Sequence, residues 1–128
     1  MTVEELCNSI YLGDRYCENV EIRNNKIVFQ INLISRIKEG SNERNFYADK
    51  DLERACLVFD CVEDFSIENG STINDEIEIH YLANEDGIYH FIVEGAEYSD
   101  DASTYKWVKY NIMCRDFYLL HNDIIIRE

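Results

Sequence analysis

Apolar and polar residues alternate along most of this chain, which is the pattern of β-strands with one buried face. Val20 and Ile22 precede Asn24-Asn25, and a second alternating run follows. Asparagine tolerates the positive φ of a tight turn, so we predict a hairpin in which Val20 faces Phe29 and Ile22 faces Ile27. The predicted second strand buries Ile27, Phe29, Ile31 and Leu33 and exposes Lys26, Gln30, Asn32 and Arg36.

Only the N-terminus has a helical period. Thr2 and Glu5 have the spacing of a capping box, and Gly13 is placed to end a helix. We predict a short amphipathic helix over residues 3–12, with Leu6, Ile10 and Tyr11 on its apolar face.

A polar stretch, residues 38–54, follows the first hairpin, and we predict one helical turn within it at residues 49–54. The next alternating run has the inward positions Leu57, Phe59, Cys61, Phe65 and Ile67. Glu63 interrupts that series, which predicts a β-bulge there.

Residues 73–95 alternate as a second hairpin, with Glu85-Asp86-Gly87 as a predicted three-residue turn. Residues whose numbers sum to 172 are then opposite one another. In this register the inward pairs are Tyr81 with Phe91 and Ile79 with Val93, and the outward pairs are Glu78 with Glu94 and His80 with Ile92.

The last long strand is predicted over residues 105–114, with Val108, Tyr110, Ile112 and Cys114 inward. Residues 124–127 predict a short edge strand. The fold class expected is α+β, with the short N-terminal helix packed on a curved, mostly antiparallel sheet of about six strands. The length of 128 residues fits one domain, residues 1–128.

Composition adds a strong charge to this picture. The chain is 46% hydrophobic, which fits a globular protein, yet its net charge is -14. Residues 55–105 hold thirteen Asp or Glu and no Lys or Arg. The five cysteines contain no CxxC pair, and the N-terminus has no secretory pattern, so we expect reduced thiols and a cytoplasmic location.

Few constellations point to catalysis. His80, His90, Glu78 and Glu94 share the outer face of the second hairpin and are residue types that bind zinc, but nothing in the sequence fixes the imidazole rings. The cysteines lie in apolar alternations, where a thiol is unreactive. A chain this acidic is repelled by phosphates, which disfavours nucleic-acid binding. We therefore expect a non-enzymatic protein without cofactor or metal.

The acidic stretch itself is the strongest functional signal. Glu78 opposite Glu94 destabilises the sheet, and a field of one sign attracts a basic partner and accelerates its binding. Tyr and Trp commonly anchor such interfaces. The candidate partner-binding residues are Asp60, Asp64, Glu68, Glu76, Glu78, Glu94, Glu97, Tyr98, Asp100, Asp101 and Trp107.

The segments IYLGDRYC (10–17), LISRI (33–37) and LVFDCVEDFSIENGSTINDEI (57–77) resemble a family of small bacterial proteins of uncharacterised function. More broadly, an acidic chain of this size is similar to the immunity proteins of bacterial toxin systems, including contact-dependent growth inhibition. That resemblance implies binding and blocking of a cognate toxin domain, often a basic nuclease.

We therefore expect an immunity protein that neutralises a basic toxin domain through its acidic surface. Two alternatives stay open. One is a small metal-binding enzyme or sensor that uses the His/Glu sheet face. The other is an acidic scaffold or regulatory module that mimics nucleic acid.

Overall fold

The computed structural model describes residues 1–37 and 51–128. One helix and ten strands lie in these ranges. They are α1 (Val3–Asn8), β1 (Ile10–Tyr11), β2 (Cys17–Arg23), β3 (Lys26–Ile31), β4 (Leu33–Arg36), β5 (Leu52–Glu53), β6 (Cys56–Glu68), β7 (Ile77–Glu85), β8 (Ile88–Tyr98), β9 (Tyr105–His121) and β10 (Ile124–Ile126).

Two antiparallel sheets are formed. The large sheet has the order β2-β3-β6-β9-β8-β7, with β10 paired to the end of β9, and it curls into a half-barrel. The small sheet has the order β1-β4-β5. The predicted curved antiparallel sheet is confirmed, although the six-residue helix makes a smaller contribution than expected. Within the described residues, no helix is both long and apolar enough to cross a membrane.

Strand β9 organises the large sheet because it pairs with β6 along one side and with β8 and β10 along the other. Its 17 residues would extend to roughly 55 Å if straight, whereas a domain of this size has a radius of gyration of about 14 Å. The strand therefore has to bend. The register of β6 against β9 shifts between Val62 and Asp64, and Cys61 adopts a left-handed φ of 52°, which is how a bulge increases local twist.

Aromatic rings fill the core between the large sheet and α1. Phe59 is fully buried, and its ring centroid lies 5.0 Å from those of Phe91 and Phe117 and 5.8 Å from that of Phe29. Helix α1 adds buried Leu6 and Cys7 to this core. We call the sheet face that α1 covers the inner face.

The N-terminal capping box is confirmed, because the Thr2 hydroxyl accepts from the Glu5 N–H and the Glu5 carboxylate accepts from the Thr2 N–H. The predicted helix end at residue 12 is wrong. The helix ends at Asn8, and the next residues form β1, in which Ile10 pairs with Arg36. A cross-strand partner distant in sequence thus overrides the helical spacing.

The first hairpin is confirmed with Val20 opposite Phe29 and both turn asparagines at positive φ. Its second strand is shorter than predicted, since β3 ends at Ile31, and in the following strand the buried apolar residue is Ile34, not Leu33. Arg36 was also placed wrongly on an exposed face. It is buried, and its guanidinium donates to the Ser9 hydroxyl and to the Glu128 backbone carbonyl, each at 2.9 Å.

The bulge predicted at Glu63 is confirmed by the register shift at that residue. The inward assignment of Cys61 is wrong, because its left-handed backbone turns the side chain to solvent. Phe65 lies on the inner face opposite Ile112 but remains 40% exposed. The helical turn predicted at residues 49–54 lies partly outside the described residues. Its described part forms β5, residues Leu52–Glu53.

The second hairpin has the predicted register from Glu78 to Tyr81, including Glu78 opposite Glu94. Its turn differs from the prediction. A bulge at Leu82 shifts the pairing so that Glu85 faces Ile88, which leaves the two-residue turn Asp86-Gly87, both at positive φ. The inward residues of the last strand and the edge strand β10 are confirmed.

Candidate protein-binding surface

The candidate site is a sheet face that no described element covers. It consists of the outward positions of four neighbouring strands, opposite to the inner face. We call it the open face, and its residues, all exposed or partly exposed, are Asp64, Ser66 and Glu68 on β6, Tyr105, Trp107, Lys109, Asn111 and Met113 on β9, His90, Ile92, Glu94 and Tyr98 on β8, and Glu78 and His80 on β7.

Acidic side chains form a row across the open face. Glu68 pairs with Lys109, Lys109 pairs with Glu94, and Glu94 pairs with Glu78. The open face carries four carboxylates, those of this row and Asp64, against the one ammonium of Lys109, so its formal charge is 1 − 4 = -3 with neutral histidines. The face is therefore negative, although less so than residues 55–105 alone suggest.

The basic residues are on β9, which follows the acidic stretch in the chain and pairs with two of its three strands, β6 and β8. Lys109 lies opposite Glu94, and Lys106 lies opposite Glu97. Arg115 also forms an ion pair with Glu63. The absence of Lys and Arg from residues 55–105 thus overstates the negative charge of this part of the molecule, because strand pairing brings basic residues from the next segment of the chain.

Less polar side chains lie on both sides of this charged row. Ile92 and Met113 are partly exposed on one side, and on the other side the Trp107 indole N–H donates to a Glu94 carboxylate oxygen at 3.0 Å. The rings of Tyr98 and Tyr105 stack at one end, with centroids 5.2 Å apart. Apolar and aromatic residues surrounded by polar ones are the composition of protein interfaces.

Six of the predicted residues share the open face. They are Asp64, Glu68, Glu78, Glu94, Tyr98 and Trp107. Sequence reasoning did not select Ile92, Met113 or Tyr105, although the alternation already placed the first two outward.

The other predicted acids lie elsewhere, and two of them, Glu97 and Asp101, accept several hydrogen bonds from nearby loop residues. Glu97 accepts from the backbone N–H groups of Ser71 and Thr72 at 2.8 and 2.9 Å, and these bonds lower its pKa. Asp101 accepts from Ser99 and Ser103 within its own turn, which lowers its pKa to about 2, chiefly through the Ser103 hydroxyl.

Asp60, Glu76 and Asp100 are also separate from the open face. Asp60 lies past the bulge, where Lys26 is 3.8 Å away and the Tyr118 hydroxyl donates to it at 3.0 Å. Glu76 precedes β7, and its backbone forms an isolated antiparallel β-bridge with that of Tyr16. Asp100 is exposed in the turn after β8.

The His/Glu set is only partly brought together. Ligand atoms of Glu78, His80 and Glu94 all lie within 4.8 Å of one another. His90 is not part of that group, and its nearest carboxylate is Glu85, with His90 Nε2 at 3.8 Å from Glu85 Oε2.

A second surface lies on the same side of the sheet, beyond the bend. It is a groove of about 340 Å³ whose lining includes Val28, Val58, Tyr118 and Leu120. Burial raises the pKa of the Tyr118 hydroxyl to about 12, and its bond to Asp60 adds to the shift. We call this the Tyr118 groove.

The cysteines are free thiols. Burial raises the pKa of Cys7, Cys17 and Cys114 to about 12, so these thiols are poor nucleophiles at neutral pH. Cys61 is the exposed one.

The segments quoted for the family resemblance meet in the fold. Tyr11 of the first pairs with Ser35 of the second, and the Arg15 guanidinium donates to the Ser35 hydroxyl at 2.9 Å. The backbone N–H of Cys17 donates to the carbonyl of Asp75 at 2.8 Å. The first two contacts hold the small sheet together with the loop that follows β1, and the third joins β2 to the segment before β7.

The model of one family, described as a family of unknown function (DUF6258), matches residues 1–125. No curated protein and no solved structure matches the chain.

Proposed function

This chain belongs to that family of unknown function, and we propose that it is a non-enzymatic binding protein whose open face takes a basic protein partner. The observation that carries the proposal is the opposition of Glu78 and Glu94 beside the partly exposed Trp107. A sheet loses stability by placing like charges opposite each other, whereas a partner's Lys or Arg beside both carboxylates turns this cost into attraction.

The anatomy of the open face supports the same proposal. Trp107, Tyr98 and Met113 are the residue types that are enriched in interfaces, and Trp and Tyr dominate binding hot spots. The carboxylates of Asp64 and Glu68 lie on the part of β6 that pairs with β9 but not with β3, at the rim of the open face. Charges at a rim act mainly on the association rate and its salt dependence. The net charge of -14 extends the attraction beyond the contact area.

We further propose that the partner is a bacterial toxin domain and that this chain is its cytoplasmic immunity protein. A toxin that acts on nucleic acid must have a positive surface, which is the complement of the open face. The free cysteines fit a reducing compartment. A regulatory module that mimics nucleic acid would use the same charge complementarity, so only the identity of the partner separates these two functions.

The experiment is a titration of the purified chain, at low and high salt, with the product of the gene that neighbours its own. Truncation of the central aromatic residue, Trp107→Ala, should weaken binding by about 2 kcal/mol, roughly 30-fold. Glu68→Gln should instead slow association and reduce its salt dependence.

Glu53→Gln is the matched control, because Glu53 is exposed on the small sheet and its loss should leave binding unchanged. Circular dichroism verifies that each variant is folded. Absence of binding at every ionic strength, or a Trp107→Ala variant that binds like the parent, would overturn the proposal.

A further inference from the structure

Glu78, His80 and Glu94 form a group of potential metal ligands on two adjacent strands. The register of β7 against β8 fixes their positions, since Glu78 and Glu94 are directly paired and His80 is two residues further along β7 on the same face. Their ligand atoms all lie within 4.8 Å of one another. The histidine distinguishes this group from the many acidic pairs on the surface.

The spacing is close to that of a tetrahedral site. Ligand atoms at bond lengths of about 2.0–2.1 Å from a tetrahedral zinc ion are about 3.3 Å apart. The His80 Nε2 and Glu78 Oε2 atoms are already 3.4 Å apart. The remaining ligand atoms have to approach by at most about 1.5 Å, which rotation of the exposed Glu78 side chain provides.

Electrostatics favour a cation at this position. Among residues 1–37 and 51–128, neither Glu78 nor Glu94 makes an ion pair with Lys or Arg within 4.0 Å. Lys109 lies on the other side of Glu94, in the next strand. Two opposed carboxylates without a cation between them repel each other, and a divalent ion removes that repulsion.

The Trp107 indole supports one of the ligands from outside the group. Its N–H donates to Glu94 Oε1 at 3.0 Å, which orients the carboxylate and leaves the other oxygen available. Hydrogen bonds of this kind to a ligating carboxylate are a regular feature of metal sites.

We propose that Glu78, His80 and Glu94 bind one divalent transition-metal ion of the zinc class, with a fourth position open to water. The site does not depend on the proposed function, since it needs only this chain. A bound ion would neutralise two carboxylates of the open face. The metal ion and a basic partner would therefore compete for these carboxylates.

The test uses tag-free protein with Cys61→Ser as the background, because an exposed thiol is itself a zinc ligand. Zn²⁺ is titrated by calorimetry. Trp107 is the only tryptophan of the chain and contacts Glu94, so Co²⁺ at the site should quench its fluorescence and excess Zn²⁺ should restore it.

We expect one Zn²⁺ per chain. Loss of a residue that only supports a metal ligand weakens metal binding by roughly 10-fold to 100-fold. His80→Gln removes a ligand itself and should weaken zinc binding by at least that factor. Glu78→Gln should also weaken it. His90→Gln is the matched control, as His90 lies on the same face beside a single carboxylate, and it should bind zinc as the background does. Urea midpoints show whether each variant is folded.

Three results would overturn the proposal. They are the absence of saturable binding in the Cys61→Ser background, unchanged affinity in His80→Gln, and an equal loss in His90→Gln. None of these results bears on partner binding, which the titration with the toxin domain tests separately.

Discussion

Replacement of Glu78 by lysine should stabilise the fold, because it converts a like-charge pair across β7 and β8 into an attractive one. Glu78 faces Glu94 directly. Two unit charges about 6 Å apart in water interact by about 0.7 kcal/mol, so charge reversal changes the pair energy by about 1.4 kcal/mol. At physiological salt the Debye length is about 8 Å, which reduces this to roughly 0.7 kcal/mol.

Solvent exposure keeps the gain small. The Glu78 side chain is 57% exposed, and reversal also removes its contact with His80 at 3.4 Å. Exposed pairs are usually worth less than about 1 kcal/mol. The net expectation is about 0.5 kcal/mol of added stability, seen as a rise in Tm of roughly 2 °C.

Urea denaturation at 0.15 M and 1 M NaCl measures this effect. Screening at 1 M salt should leave only about 0.2 kcal/mol of the gain, since the Debye length falls to about 3 Å. Glu85→Lys is the control, because Glu85 pairs with Ile88 and not with an acid, and it should not stabilise. A Glu78→Lys variant that is less stable than the parent, or a gain independent of salt, would refute the reasoning.

Three further predictions concern the core, pH dependence and thiol reactivity. Phe59→Ala removes a fully buried ring and should cost about 3–5 kcal/mol of unfolding free energy in urea titrations; a loss below about 1 kcal/mol would contradict the packing described. The Arg127 guanidinium donates to the Asp116 carboxylate and lowers the pKa of that carboxyl in the folded protein. The pair therefore contributes its full stability above the pKa of an unfolded Asp, about 3.9. That stability is lost as the pH falls through the lower pKa of the folded state. Arg127→Ala should therefore lose more stability at pH 7 than in strong acid, by less than about 1 kcal/mol, because only the contact of Arg127 with the Tyr118 ring persists in acid. A loss of stability that is the same at both pH values would disprove the linkage. In native protein, iodoacetamide should label the exposed Cys61 well before the buried Cys114, whose pKa is raised to about 12. Mass spectrometry measures the order of labelling, and the reverse order would contradict the burial of Cys114.

Much of the sheet could be predicted from local sequence signals. The Asn24-Asn25 turn and the alternation around it predict the first hairpin, and both turn residues do take positive φ. The outward Glu78 and Glu94 follow from alternation alone. These features depend on residues that are close in sequence, where side-chain period and turn chemistry act together.

The errors arise where distant partners decide. Ile10 and Tyr11 fit a helical period, but pairing with β4 makes them a strand. Leu82 lies at a bulge and is 56% exposed. In the sequence, an apolar residue at an outward position of the alternation was the signal for that bulge. The resulting shift shortens the turn to Asp86-Gly87.

The charge of the candidate surface also depended on pairing between strands distant in sequence. Residues 55–105 contain no base, yet β9 places Lys109 between Glu68 and Glu94. Local pattern cannot reveal which strand lies between two others in a sheet. Asp60 is separated from the acids of the open face by the bulge in β6, whereas the alternation of β8 already places Glu97 on the side of Val93, opposite to Glu94.

Methyl NMR of the chain in complex with the partner identified by the proposed titration tests the central claim most directly. The methyl groups of Ile92 and Met113 report on the open face, and that of Ile125, which is exposed on the edge strand β10 beside Leu120 of the Tyr118 groove, reports on the rest of the sheet. We predict that the Ile92 and Met113 signals shift on binding while the Ile125 signal does not. Unchanged Ile92 and Met113 signals in a formed complex, or shifts confined to Ile125, would contradict the account.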